Sequence, residues 1–261
     1  MKINTLKAAV IGALMVPLTA IHAEEAAPAE ESGFSVSGNV GLYSDYIFRG
    51  YTQTQNNPAL QGGFDVEHSS GLYIGTWASN VEWTTVGASS AMVENSIEID
   101  VYGGFAGSFG DTGFGYDIGV LQFWYPGDQR ANAADADATE VYLGLSYSHD
   151  LFSVSLTNYM VVSDEAWGFA DMDGETYTDL TVDIPFGQAT LSGHVGHQTF
   201  GSGAGTDLDY TDWKVNLDYA LNDTYSVGAF YTDTDMTDSS WTFGTVKVGD
   251  AVGGAYLSAS F

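Results

Sequence analysis

From Phe34 onward the apolar residues recur every second position, the period of a β-strand and not of a helix. Phe34, Val36, Val40 and Leu42 alternate with Ser35, Ser37, Asn39 and Gly41. Ile97, Ile99, Val101 and Phe105 alternate with Glu98, Asp100 and Tyr102. The same alternation runs through 60–66, 114–120, 141–147, 152–156, 180–186, 211–219, 225–231 and 251–261, and less cleanly through 72–79 and 189–198. This predicts twelve strands. The connections between them alternate in length. Short ones fall at 68–71, 107–113, 148–150, 186–188 and 220–223, and long polar ones at 52–58, 84–95, 126–139, 163–175, 199–209 and 232–249. A chain that goes up and down around a closed barrel, with tight turns at one end and long loops at the other, sorts its connections in this way. A Greek-key sandwich has no reason to. Because twelve is even, both ends of the strand run fall on the short-turn side.

Alternation alone does not say which face meets water. A soluble barrel points its apolar residues inward, and a membrane barrel points them at lipid and lines its interior with polar groups. Three features favour the membrane arrangement. Residues 1–23 read as a secretory signal: Lys2 and Lys7, an apolar run from Ala8 to Leu18, and Ile21-His22-Ala23 before Glu24. That run is shorter than the roughly 20 residues a helix needs to span a bilayer. Residues 24–32 are an acidic, flexible leader, so the barrel would occupy 33–261. Aromatic residues near the strand ends (Tyr46, Phe48, Trp83, Trp124, Tyr125, Trp213, Tyr219 and Trp241) are expected to form interfacial girdles, and the last strand ends in Phe261. A secreted acidic β-protein with internal apolar faces is the soluble rival.

Composition narrows the function. Six Lys and Arg stand against 34 Asp and Glu, a formal charge of −28, which excludes a nucleic-acid-binding surface because that binding requires cations that neutralise phosphates. With no cysteine, thiol catalysis and Cys-zinc sites are excluded. Sixteen Tyr, 14 Phe and 6 Trp separate the chain from disordered acidic sequences. No G-x-S-x-G, phosphate loop or H-E-x-x-H occurs. His194 and His197 form H-x-x-H, but residues three apart on a strand face opposite sides. Asp171-Met172-Asp173-Gly174-Glu175 lacks the spacing of a calcium loop. The expectation is no enzyme, no cofactor and no protein-built metal site. Acidic loops bearing Asp135, Asp137, Asp207, Asp209, Asp233, Asp235 and Asp238 read first as solvated loops that keep the chain soluble in transit; the functional alternative is weak binding of Ca²⁺ or Mg²⁺ that bridges them to anionic lipopolysaccharide.

The segment Ser44-Asp45-Tyr46-Ile47-Phe48-Arg49-Gly50, then Gln53-Thr54 and Pro58-Ala59-Leu60-Gln61-Gly62-Gly63, resembles the opening of the TorF-type porin family of proteobacteria. The likeness continues through Gly71-Leu72-Tyr73-Ile74-Gly75, Trp77-Ala78-Ser79-Asn80-Val81, Glu98-Ile99-Asp100-Val101-Tyr102-Gly103-Gly104, Tyr116-Asp117-Ile118-Gly119, Tyr125-Pro126-Gly127 and Glu140-Val141-Tyr142-Leu143-Gly144. It covers about the first half of the chain after the leader. It implies an outer-membrane β-barrel of channel type.

If the apolar residues face lipid, parity sends Asp45, Arg49, Asp65, Glu67, Glu98, Asp100, Asp117, Asp179, Asp183, Asp212, Lys214 and Asp218 to the lumen, ten acids against two bases. Rings of carboxylates in a pore select cations. The reading is thus a passive, cation-preferring channel for small solutes; the alternative is a non-conducting barrel with a structural or loop-binding role. Oligomeric state stays open. Pore size is the deciding quantity, because twelve strands lie between the eight that leave a filled interior and the 16 of an open porin. Inward glycines (Gly63, Gly75, Gly104, Gly119 and Gly144) are expected to widen the lumen.

Overall fold

A computed structural model describes residues 33–86, 91–201, 208–237 and 241–261. The signal at 1–23, the leader at 24–32, and Asp207 and Asp238 lie outside the described residues. Twelve strands close into one antiparallel barrel. They are β1 (Phe34–Tyr43), β2 (Ala59–His68), β3 (Leu72–Asn80) and β4 (Ile97–Ser108), β5 (Phe114–Trp124), β6 (Ala138–His149), β7 (Phe152–Val161) and β8 (Thr176–Phe186), then β9 (Ala189–Gln198), β10 (Tyr210–Ala220), β11 (Tyr225–Thr234) and β12 (Val252–Ser260). Each strand pairs with its sequence neighbours. The seam joins β1 to β12, with Leu42 opposite Leu257, and Gly38 and Phe261 exchange backbone hydrogen bonds of 2.7 and 2.9 Å. Closure leaves no sheet edge unpaired, which is the condition for a sheet to sit in hydrocarbon.

All twelve expected strands form, and the connection lengths sort by end. Strands of 9 to 12 residues match a tilted crossing of a bilayer core. Between β8 and β9 the turn is only Gly187-Gln188, and Gly187 sits at φ +68°, a conformation that favours glycine.

The alternation resolves in one direction. Phe34, Val36, Leu42, Leu60, Phe64, Ile74, Val101, Ile118, Leu143, Leu180, Val215 and Leu257 lie exposed on the outside. Their neighbours Gln61, Glu98, Asp100, Asp117, Asp179, Asp212 and Asn216 are buried inside. A soluble barrel has the opposite arrangement, so the secreted rival is removed.

Inside, the two ends differ. At the long-loop end the loops fold over one another around a shared apolar core. It takes in Tyr46, Trp83, Tyr125 and Trp167 from the loops and Leu121, Phe123, Tyr142, Tyr159 and Tyr177 from the strands. Trp83 meets Tyr125 at 5.2 Å, and Trp241 meets Tyr210 at 5.3 Å. This corrects the expected aromatic girdle. Trp124, Trp213 and Tyr219 do face outward, but Tyr46, Trp83 and Tyr125 are buried in the loop core, Phe48 packs against it, and Trp241 is buried in a second cluster with Leu208, Tyr210 and Val248. Position near a strand end does not distinguish a ring at the bilayer interface from one folded over the mouth. At the short-turn end the inward positions include small hydroxyls, Ser35, Ser37, Ser146, Ser153, Ser155 and Ser192, all half-buried or exposed, beside the carboxylates Glu67, Asp183 and Asp218.

Candidate functional site

Two rows of the wall repeat one device. Asp65 on β2 stands opposite Gly75 on β3, which stands opposite Tyr102 on β4. The Tyr102 ring lies flat across the glycine and its hydroxyl donates to Asp65 at 2.6 Å. On the other side of the barrel Asp218, Gly228 and Tyr256 stand in the same order on β10, β11 and β12, with the Tyr256 hydroxyl 2.8 Å from Asp218. In a third row Tyr73 and Tyr142 lean toward each other over Gly104 and Gly119 until their hydroxyls bond, and Tyr73 donates to Asp117 at 2.7 Å. A Cβ on Gly196 would likewise collide with the Tyr177 ring, whose hydroxyl donates to Asp212 at 3.0 Å. The expectation that Gly75, Gly104 and Gly119 widen the lumen is therefore reversed. They make room for tyrosines that cover the wall, because a flat ring needs a missing Cβ beneath it. The hydroxyls of Tyr102, Tyr256, Tyr73 and Tyr177 each also give an inward carboxylate a charge-assisted hydrogen bond, while Tyr142 bonds the Tyr73 hydroxyl.

The acids named from parity fall as follows. Asp65, Glu67, Glu98, Asp100, Asp117, Asp179, Asp183, Asp212 and Asp218, with Lys214, occupy inward positions of β2, β4, β5, β8 and β10. Asp183 accepts from Ser192 at 2.6 Å, and Lys214 lies 5.0 Å over the Phe230 ring. Glu98 is held by the hydroxyls of Tyr46 and, at 2.5 Å, Tyr125. His194 reaches Asp179 at 2.6 Å and Asp212 at 3.3 Å, and His197 points outward to Thr211, so the two histidines do face opposite sides. Asp45 and Arg49 are not strand residues. β1 ends at Tyr43, and both sit on the loop from Ser44 to Pro58, which folds into the barrel. The strand parity that assigned them inward does not apply; the fold of the loop brings them in.

That loop carries the centre of the site. Ile47-Phe48 pairs with Tyr51-Thr52, and the two-residue tip is Arg49-Gly50, with φ of 44° and 87°. Tight hairpins of this kind need positive φ at both tip residues and favour Asn-Gly. An arginine at the first position is held there by what its side chain does. One terminal nitrogen bonds both oxygens of Glu140 at 2.8 and 2.6 Å, and the other bonds Gln198 Oε1 at 2.7 Å. The guanidinium carbon lies 4.4 Å from the Tyr177 ring centre, 4.8 Å from Phe48, 5.3 Å from Tyr159 and 5.4 Å from Trp167. Arg49 is 5% exposed and Glu140 0%. Burial alone would disfavour the charge, but Glu140 and its hydrogen bonds hold the guanidinium pKa above its ordinary value.

At the loop's base, Asp45 Oδ1 accepts from Thr52 at 2.6 Å and Thr54 at 2.9 Å, and Oδ2 has no hydrogen-bond partner among the described residues. Burial pushes this carboxyl up from 3.8 to about 6, more than the two threonines and the Tyr46 backbone bond pull it down, with Glu82 adding to the rise. Glu140 and Gln198 escaped the sequence reading. Glu140 is inward on β6 by strict alternation with Val141 and Leu143, and that signal was present at the start of a strand whose first residues were assigned to a loop.

Asp164, Glu165, Asp171 and Asp173 line a shallow recess of about 460 Å³. Among the described residues no group of three His, Asp or Glu has metal-holding geometry.

Among solved structures the chain resembles the NanC porin in a rhombohedral crystal form, at 11% identity and a TM-score of 0.54, covering 87% of this chain and 99% of that one. It is also similar to OccK5 (OpdH) of Pseudomonas aeruginosa, at 12% identity and a TM-score of 0.45 over 88% of this chain and 67% of that one. A third likeness is to a loop-deletion mutant of OmpT, an outer membrane protein of Vibrio cholerae, at 12% and 0.44 over 87% and 99%. At such identities the NanC likeness bears on the fold alone. No curated protein matches. A family model matches residues 26–261, nearly the whole chain, and the chain belongs to that family, Gcw_chp, described as a bacterial protein of unknown function.

Proposed function

We propose that this protein is an outer-membrane channel of the TorF porin type, inserted with its short turns toward the periplasm, that passes small solutes by diffusion with a preference for cations. The observation that carries the reading is the inside-out barrel whose inner wall bears Asp65, Glu67, Asp117, Asp183 and Asp218 around a serine-lined half, against the single strand cation Lys214. Such a wall raises the local concentration of cations and lowers that of anions. The work is electrostatic and requires no covalent step. Lipid and lipopolysaccharide surround the barrel, and the solutes are small.

The second reading, a closed barrel serving a structural or binding role, is favoured by one observation: the loop from Ser44 to Pro58 enters the long-loop half of the lumen, its tip against Asp212 and Thr234 and pinned by Arg49. Planar-bilayer recording of the refolded barrel under a KCl gradient separates the two. Discrete steps with a cation-selective reversal potential, shifted toward zero by Glu67→Gln with Asp218→Asn, are expected for the channel. A silent, folded barrel supports the closed reading, and an anion-selective one refutes the electrostatic argument.

A further inference from the structure

The surroundings of Arg49 amount to a receptor for a guanidinium, and nearly all of it belongs to the wall. Glu140 comes from β6, Tyr159 from β7, Tyr177 from β8 and Gln198 from β9, four successive strands; Trp167 comes from the loop between β7 and β8, and only Phe48 belongs to Arg49's own loop. The acceptors lie where both terminal nitrogens of a guanidinium find a partner, and the rings cover its faces. An ammonium, with a single nitrogen on a flexible stem, satisfies this geometry poorly. Two of the contributors are in left-handed backbone conformations, Arg49 at φ 44° and Trp167 at φ 51°. Such conformations persist only where the surroundings enforce them, and they cluster at ligand clamps.

Fixing a loop does not require this. A buried ion pair is no better a fastener than apolar packing, and withdrawing one partner leaves the other charge stranded. For a solute to pass the long-loop end the hairpin tip must leave, since Gly50 is seated against Asp212 and Thr234. Departure of Arg49 empties a negatively charged, ring-walled cage. A ligand shifts such an equilibrium only if it binds the open state better, and a guanidinium that fills the vacated cage does so.

We propose that the cage is a binding station for solutes bearing a guanidinium group, and that Arg49 is an internal occupant which such a solute displaces, so that the solute opens its own path. The displacement part rests on the channel reading above; the binding part stands without it.

The test uses the full barrel, with methylguanidinium as probe and methylurea, its neutral near-isostere, as control. In Arg49→Ala, methylguanidinium should bind saturably, raising the unfolding temperature and changing tryptophan emission. Affinity should fall roughly tenfold or more when Glu140→Gln is added, the loss expected for one charge-assisted contact of about 1.4 kcal/mol. If Arg49→Ala does not refold by itself, its refolding yield in methylguanidinium against methylurea gives the same answer. Equal effects of the two probes overturn the cage. In bilayers, methylguanidinium should raise the open fraction of the wild-type channel several-fold over methylurea, and no difference overturns the displacement. A barrel that never conducts while Arg49→Ala binds methylguanidinium refutes the channel and supports the cage. Conduction with no binding in Arg49→Ala retains the channel and overturns the cage.

Discussion

Replacing Gly75 by alanine adds one methyl group where the wall has no room for it. The new Cβ would stand 2.5 Å from Tyr102 Cζ and 2.5 Å from Asp65 Oδ1, both far inside van der Waals contact. The ring must lift from the strand, and the 2.6 Å hydrogen bond from Tyr102 to Asp65 goes with it. Losing a hydrogen bond to a charged acceptor costs about 1.5–3 kcal/mol. Forcing a packed ring aside costs about 1–3 kcal/mol more. Alanine recovers roughly 0.5–1 kcal/mol over glycine in a strand. The net loss is about 1.5–5.5 kcal/mol, a large part of the roughly 5–15 kcal/mol that holds a domain folded. Urea titration of the barrel in lipid vesicles, followed by the mobility of unboiled samples on gels, reads this as a lower midpoint. Gly193→Ala and Gly253→Ala are the controls, because a Cβ at either meets nothing closer than 3.8 Å. The decisive comparison is Gly75→Ala in a Tyr102→Ala background, where the ring is gone and most of the penalty should vanish as a coupling energy. An equal cost in both backgrounds would show that the ring does not explain the glycine.

Glu140→Ala strands the Arg49 guanidinium in the cage, which costs about 3–5 kcal/mol of loop docking; limited proteolysis should then cut within 44–58 while the barrel band stays intact, and protection equal to wild type would refute the pinning of the loop by Arg49 and Glu140. The raised pKa of Asp45 gives docking a pH dependence of known sign. A carboxyl whose folded pKa is above its unfolded value contributes most below the unfolded value, and that contribution is lost as pH rises from 3.8 to about 6. The loop should therefore be protected better near pH 4 than at pH 7, and Asp45→Asn should flatten the profile; a wild-type profile that rises with pH counts against it. Deleting Phe261 removes its two backbone bonds to Gly38 at the β1–β12 seam, and refolding yield should fall while the other pairings are untouched; an unchanged yield would mean the seam closes without it.

The barrel was legible because each signal in it is local. A period of two, carried by residues such as Ile97, Ile99 and Val101 against Glu98 and Asp100, states both the strand and its two faces. Turn lengths state the order. What failed to show was everything that depends on residues far apart in sequence meeting across the lumen. Gly75 reads as space until Tyr102 is known to lie over it, 27 positions later but in the same row. Tyr46 and Trp241 read as girdle residues because proximity to a strand end was visible and the inward fold of the loops was not. Strand parity ends at Tyr43, so it carries no information about Arg49, which enters the lumen through the fold of its loop. One clue was present and unread: Arg-Gly between two short apolar pairs, Ile47-Phe48 and Tyr51-Thr52, places an arginine where a hairpin tip favours asparagine.

The two halves of the lumen follow from one constraint. Twelve strands enclose more space than the inward side chains of an eight-stranded barrel would fill. That space has to be filled by side chains, by loop or by water. At the short-turn end the connections are a few residues long and have nothing to send inside, so serines and carboxylates face water. At the long-loop end much longer connections carry their own aromatic core and fold over the mouth. Charge then decides what holds the filling in place. With acids so dominant in the wall, a loop that enters must bring a cation to offset them, and of the chain's six basic residues Arg49 is the one carried by the entering loop. A cation that holds a loop against such a wall is, by the same electrostatics, one that a cationic solute can replace.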